Sequence, residues 1–193
     1  MAKSRPGAVI QDALQESLDH FTSVPWCAQL IMDSAFVPMK TPSRTPKPST
    51  EDSLFGQTLQ TKETIRACLS FHKRPSGTTT TKCDAGVREV RMLLSLGSGV
   101  NGHPHTCHGG LVATMLDEVL GLMVSFHQVR STFTAFLNVE FKKPVPTPGI
   151  VLCRAWVTRA EGRKIWARGT IEDGRGNVYA TSESLFVETK ANL

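Results

Sequence analysis

One segment of this chain, residues 111–127, has helical periodicity yet is apolar around most of its circumference. A helix with no wet face cannot lie on a surface, so other elements must surround it. Its neighbours in sequence are strand-like. Residues 64–72 and 87–96 precede it, with a loop expected over 97–108. After it, Phe133, Ala135, Leu137, Val139 and Phe141 alternate with polar residues, a period of two that predicts a strand with one buried face. Residues 149–158, 163–172 and 178–187 follow as three more strands. They are separated by Glu161-Gly162 and by the run Asp173-Gly174-Arg175-Gly176-Asn177, which read as hairpin turns. A two-strand unit, an apolar helix and a four-strand meander predict an α+β architecture in which the helix crosses one sheet face.

Upstream, Ile10, Ala13, Leu14, Leu18 and Phe21 recur at helical spacing, predicting an amphipathic helix over 10–21, and Pro25 opens a second, short one. Residues 41–52 hold three prolines among Ser and Thr and predict an extended connector over the surface. Ser49 or Thr50 followed by Glu51 and Asp52 reads as a helix start. The chain thus divides into residues 1–60, a helical extension with a Pro-rich connector, and residues 61–193, the main domain.

Composition narrows the function. With 193 residues, 40% of them hydrophobic, the chain can bury a sizeable core. The formal charge of +5 comes from Lys and Arg scattered in ones and twos, such as Lys142-Lys143 and Arg163-Lys164, without the basic stripe of a nucleic-acid binder. No apolar run is long enough for a membrane span. Five cysteines, Cys27, Cys68, Cys83, Cys107 and Cys153, form no C-x-x-C pair, which favours a reducing, intracellular compartment. No targeting signal is evident, so the expected placement is cytoplasmic, with a mitochondrial one left open.

The chemistry concentrates in the stretch from His108 to Gly121. Gly109 and Gly110 at a helix start leave backbone N–H groups for a ligand where the helix dipole favours negative charge, the physics of an oxyanion hole. Farther along, Thr114, Asp117, Gly121 and Ser125 form a small, polar stripe that should face a cavity, a partner helix or both. A carboxylate in an apolar helix is either satisfied by specific partners or set to do chemistry. Asp117 lies seven residues past Gly110, roughly 10 Å along the axis, too far for one carbonyl to touch both. A second, antiparallel copy of the helix would close that gap, so the motif predicts a homodimer, or a dimer of dimers, with composite sites.

These residues resemble a family, the hotdog-fold acyl-CoA thioesterases of the PaaI-like group and its eukaryotic branch. The resemblance rests on His108-Gly109-Gly110-Leu111-Val112-Ala113-Thr114-Met115-Leu116-Asp117, on the run from Thr134 to Pro146 (TAFLNVEFKKPVP), and on the Glu161-Gly162-Arg163-Lys164 turn. It implies a sheet wrapped around a long central helix and hydrolysis of an acyl-CoA, with no cofactor beyond the CoA of the substrate. By that likeness Asp117 is the catalytic carboxylate, Gly109 offers the oxyanion amide, His108 shapes the thioester site and Thr134 holds the water or nucleophile. Gly110, Asn101, Arg163 and Lys164 are its candidate substrate contacts. A thioesterase or related hotdog enzyme acting on carrier-protein-bound acyl chains, and a non-catalytic acyl binder, are the competing readings.

Plainer roles compete for several of these residues. His108 can simply cap the helix, and Glu118, off the polar stripe, suits surface or interface pairing. His103, His105, Cys107 and His108 lack the second, distant ligand pair that zinc sites use. Cys107 beside His108 is an inert thiol by default, and no G-x-S-x-G elbow occurs. Arg163, Lys164, Lys142 and Lys143 are ordinary solvated residues unless a CoA phosphate meets them.

Overall fold

The structure, a computed structural model, describes residues 6–45, 47–75, 87–128 and 130–190. Helices α1 (Pro6–Thr22) and α2 (Pro25–Ile31) lead into β1 (Phe36–Met39). A 3-10 turn (Pro42–Arg44) and a π-helical turn (Leu54–Thr58) precede β2 (Ile65–Lys73) and β3 (Val90–Leu96). A small hairpin of β4 (Asn101–His103) and β5 (Thr106–Cys107) delivers the chain to α3 (Gly109–Ser125). Strands β6 (Thr132–Phe141), β7 (Gly149–Glu161), β8 (Lys164–Glu172) and β9 (Val178–Glu188) complete the fold. Seven strands form one antiparallel sheet in the order β1-β2-β3-β7-β8-β9-β6.

Alternation along the strands sorts the core into two layers. Val90, Met92 and Leu94 of β3 and Val151, Cys153 and Ala155 of β7 point to one face, where α3 lies with nine of its seventeen residues buried. Leu93 and Leu152, on the opposite face, pack with Leu69 and Phe71 of β2 and with Phe21 and Cys27 of the N-terminal helices. The wrapped central helix is the hotdog arrangement. The amphipathic reading of α1 holds from Leu14 onward, where Leu14, Leu18 and Phe21 face that outer cluster. Trp26 of α2 rests against Gly174 in the β8–β9 turn, whose φ of +70° suits glycine and where an added Cβ would lie 2.3 Å from the indole.

The two hairpin turns after β7 and β8 are as expected, but β6 is not. It crosses over to pair with β9 at the sheet edge instead of with β7, so the four strands are not a simple meander. Its apolar face is only partly covered. Leu137 and Val139 pack on the core, while Phe133 and Phe141 are 70% and 58% exposed. A bulge between Thr134 and Phe136 breaks the alternation, and Phe136 is exposed too. Strand β1 and the β4–β5 hairpin were not legible, the first because Pro38 masks an edge strand, the second because it lies within the expected loop 97–108.

The Pro-rich connector is the larger departure. Thr41 and Arg44 are buried instead of surface-borne, and the helix start at Ser49 or Thr50 is a turn, followed only by the π-helical turn from Leu54. The Thr41 hydroxyl meets Ser70 Oγ at 2.7 Å, and Arg44 donates to the carbonyls of Phe55, Leu59 and Ile65 at 3.0, 3.2 and 2.7 Å. Extended, proline-rich backbone has no ladder of its own, so side-chain hydrogen bonds to the neighbouring chain fix it. Cys27, Cys68, Cys107 and Cys153 are buried thiols; Cys83 lies outside the described residues. Among the described residues no helix is long and apolar enough to cross a membrane. Arg44→Ala leaves three carbonyls without their donor and should destabilise the fold by about 3 kcal/mol, read as a lowered urea midpoint. An unchanged midpoint would show that the connector is not anchored there.

Candidate active site

The opening of α3 is positioned by the hairpin before it. The His108 N–H donates to Val100 O and the Cys107 N–H to Val145 O, both at 2.9 Å. His108 then stays extended, and its Nδ1 accepts the Gly110 N–H at 2.9 Å. His108 is therefore the helix N-cap, the plainer of its two readings. That cap also takes the Gly110 amide, which sequence reasoning offered to substrate. Gly109 is different: among the described residues no acceptor takes its N–H, the first of the helix. A Cβ on Gly109 would stand 3.5 Å from the Phe141 ring, an ordinary contact that a longer side chain would exceed. Gly109, Phe141, Lys142 and Lys143 line a cleft of about 330 Å³ with Cys107, Val112 and Val145. Burial pushes the Cys107 thiol up to about 11, so it is not a thiolate nucleophile at neutral pH.

Two turns farther along α3 the second half of the site forms. Thr134 Oγ1 donates to Asp117 Oδ1 at 2.8 Å, joining the central helix to β6. Thr114 is not available for substrate in the same way, because its hydroxyl donates back to Gly110 O at 2.9 Å. Asp117 opens onto a cleft of about 390 Å³ lined by Gly121, Leu122, Ser125 and Phe186, and by Thr41, Pro42, Ser43 and Asp52 of the connector.

Glu118 borders the same cleft and is not a surface group. Burial pushes its carboxyl up to about 7; Asp52 and Asp117 push the same way, and the Ser43 hydroxyl and Arg44 pull against them. The connector covering Glu118 was the part of the site that sequence reasoning missed. Its one sequence signal is an arginine, Arg44, set between prolines at 42 and 46.

The remaining candidates fall in two places. Asn101 sits in β4 beside the helix start, where it accepts from the Thr147 hydroxyl. Arg163 and Lys164 form the β7–β8 turn, and Arg163 donates to Glu188 O at 2.8 Å. That turn lies at the Thr132 end of β6, whereas Phe141 and Gly109 mark the other end. The structure thus joins Asp117 to Thr134, and groups His108, Gly109, Gly110 and Asn101 around the helix start. Asp117 stands apart from Gly109 by eight residues, roughly 12 Å along the axis.

Fold and site define a hotdog protein, and comparison with known proteins places it more closely. Residues 105–180 match the model of the thioesterase superfamily, a stretch that runs from the β4–β5 hairpin through α3 into β9. Verlamelin biosynthesis protein B of Lecanicillium sp is 24% identical over 205 residues, covering 90% of this chain and 88% of that protein. Acyl-coenzyme A thioesterase THEM4 of Mus musculus is 31% identical over 97 residues, 50% of this chain and 41% of its own length. The chain spans less than half the length of that thioesterase and of its Rattus norvegicus counterpart. The E. coli PaaI protein superposes with a TM-score of 0.50 at 11% identity, over 53% of this chain and 73% of that one, a likeness of fold alone.

Glu118 gives a pH-dependent stability whose sign follows from its raised pKa. The folded chain holds this proton more tightly than the unfolded chain, so stability falls as pH rises from the ordinary glutamate value of 4.5 to about 7. Glu118→Gln mimics the neutral acid. Its melting temperature should match wild type at pH 5 and exceed it at pH 8, measured by thermal unfolding. An offset that is the same at both pH values would mean the carboxyl is solvated.

Proposed function

We propose that the chain is an acyl-CoA thioesterase whose sites each form between two copies. The observation that carries the reading is the Thr134–Asp117 hydrogen bond on a helix that opens with an unclaimed Gly109 N–H. The relatives named acyl-coenzyme A thioesterases support it. In the reaction, the Gly109 N–H and the helix dipole stabilise the oxyanion that develops on the thioester carbonyl. Asp117, oriented by the Thr134 hydroxyl, takes a proton from the attacking water, or attacks the carbonyl itself. By the first route the C–O bond to water forms, the C–S bond breaks and the CoA sulfur leaves with a proton, giving the free acid and CoA; by the second the new C–O bond is an anhydride with Asp117, the CoA sulfur leaves with a proton from water, and a water then hydrolyses the anhydride to the free acid and returns Asp117. CoA is present only as part of the substrate, and Lys142 and Lys143 beside the Gly109 cleft are placed to meet its phosphates.

No single chain brings Gly109 and Asp117 to one carbonyl. A second copy running antiparallel along β6 does, by setting Asp117 and Thr134 of one subunit beside Gly109 of the other. A thioesterase serving a biosynthetic pathway, with an acyl chain carried on a protein, is the second reading; it is favoured by the likeness to a biosynthesis protein over 90% of this chain.

Release of CoA thiol from a panel of acyl-CoAs, set against acyl groups on a carrier protein, separates the two readings. A protein that binds acyl-CoA tightly but releases no thiol would be a binder and would overturn both. Asp117→Asn should abolish turnover while leaving the fold intact. Gly109→Val should lower the rate about 10² to 10³-fold by removing the oxyanion donor's access.

Co-refolding these two variants tests the shared site directly. Half of randomly paired dimers are hybrids, each with one intact site of two, so activity should recover to about a quarter of wild type. Proven hybrids without activity would place the whole site within one chain.

A further inference from the structure

Glu118 is a covered acid that the hydrolysis does not use. It lines the roughly 390 Å³ cleft together with Asp117, so any charge it carries faces the space in which Asp117 works. A covered carboxylate kept charged as part of the framework would be paired with a cation. Among the described residues no lysine, arginine or histidine forms an ion pair with Glu118.

The groups that face it come from three elements. On α3, Asp117 repels a charge on it; from the connector Asp52 does the same, although Asp52 is itself paired with Lys47 at 2.6 Å. Glu51, also at the cleft, is tied to the same lysine at 3.1 Å. The Ser43 hydroxyl and the Arg44 guanidinium favour the charged form. Arg44 gives its hydrogen bonds to the carbonyls of Phe55, Leu59 and Ile65, so it attracts Glu118 through space alone. Strand β2 adds Cys68, whose thiol meets Thr41 Oγ1 at 3.1 Å and is pushed up to about 11 by burial, hence uncharged at neutral pH. With burial and two anions outweighing one hydroxyl and one distant cation, Glu118 holds its proton up to about pH 7.

Resting on the thioesterase reading, we infer that Glu118 is a positioning residue of the reaction: neutral, it leaves the field around the reacting thioester to Asp117, and its ionisation switches turnover off. Hydrolysis builds negative charge on the carbonyl oxygen and then on the departing sulfur. A second fixed anion on the same helix, in a partly enclosed cleft, raises the energy of both stages. The neutral thioester of the ground state feels that charge far less, so the penalty falls on kcat and not on KM. The connector then belongs to the electrostatics of the site, with Ser43 and Asp52 setting from opposite sides the pH at which the switch acts.

The test measures kcat and KM from pH 5.5 to pH 9 on whichever acyl-CoA of the panel wild type hydrolyses fastest. Wild type is compared with Glu118→Gln, Ser43→Ala and Asp52→Asn, and circular dichroism follows folding at each pH. A group titrating at about 7 is about nine-tenths neutral at pH 6 and about one-tenth neutral at pH 8, so wild-type kcat should fall about tenfold between the two. In Glu118→Gln that fall should vanish. The inflection should move to higher pH in Ser43→Ala, which loses a donor to the charged form, and to lower pH in Asp52→Asn, which loses a repelling charge.

A purely structural Glu118 would change the melting temperature and leave the pH dependence of kcat in place. An equally steep fall in folded Glu118→Gln therefore overturns the inference, as does a wild-type kcat that is level from pH 6 to pH 8 or a pH effect confined to KM. Should Glu118→Gln fail to fold, the other two variants decide: an inflection that stays put in both, or moves the same way in both, overturns it. If wild type releases CoA thiol and these shifts are missing, this inference alone fails; if it releases none from any acyl-CoA, the thioesterase reading fails first.

Discussion

Enclosure of α3 is the constraint from which the rest of the structure follows. Nine of its residues are buried, and they can be buried only if the sheet curls around the helix. What remains half-buried along it is Ala113, Thr114, Asp117, Glu118 and Gly121, and the cleft at Asp117 opens from that side. The site's position is therefore a by-product of packing: the sheet covers the apolar circumference and stops where the polar stripe begins. The N-terminal helices, seated on the opposite face against Leu69, Phe71, Leu93 and Leu152, back the same strands that cradle α3. They cover the sheet from outside the site.

Asp117 and Glu118 are adjacent in sequence and are treated oppositely. Asp117 takes a hydroxyl donor from β6 and opens onto the cleft. Glu118, one step round the helix, is covered by the connector, and burial holds its proton to about pH 7. Asp117 adds to burial in disfavouring a charge on Glu118. Different environments for two neighbouring acids are how a site assigns them separate roles. Here the covering segment that makes the difference is the same one that bounds the cleft.

Much of this was legible in the sequence, for physical reasons. The central helix, the hairpins after β7 and β8, and the Asp117–Thr134 pair follow from local periodicity, from turn glycines and from the family motif. The failures share one cause: the energy that decided them is not local. Arg44 looks like a charge in a surface connector, and only three carbonyls from distant positions show why it is buried. Phe133 and Phe141 look like core because alternation cannot tell a strand inside a sheet from one at its edge. His108 is no failure of this kind: a helix cap was one of its two readings, and the bond that makes the cap spans only two residues.

The edge strand and the divided site pose the same problem. A ten-residue edge strand with exposed Phe133, Phe136 and Phe141 invites pairing with another chain, and natural proteins do not leave such edges uncovered without blunting them. Lys142 and Glu140 at one end are the only charged residues in or beside it between Ser131 and Lys142. Thr134 lies near one end of β6 and Phe141, over Gly109, at the other. A two-fold axis near Leu137 and Asn138 that paired β6 with its copy would cover the phenyl rings and also lay the Thr134 end of each strand beside the Phe141 end of the other. On the proposed reading, one symmetry operation would both remove the exposed edge and assemble a carboxylate with an amide, so protection of the edge and catalysis would fall on the same strand.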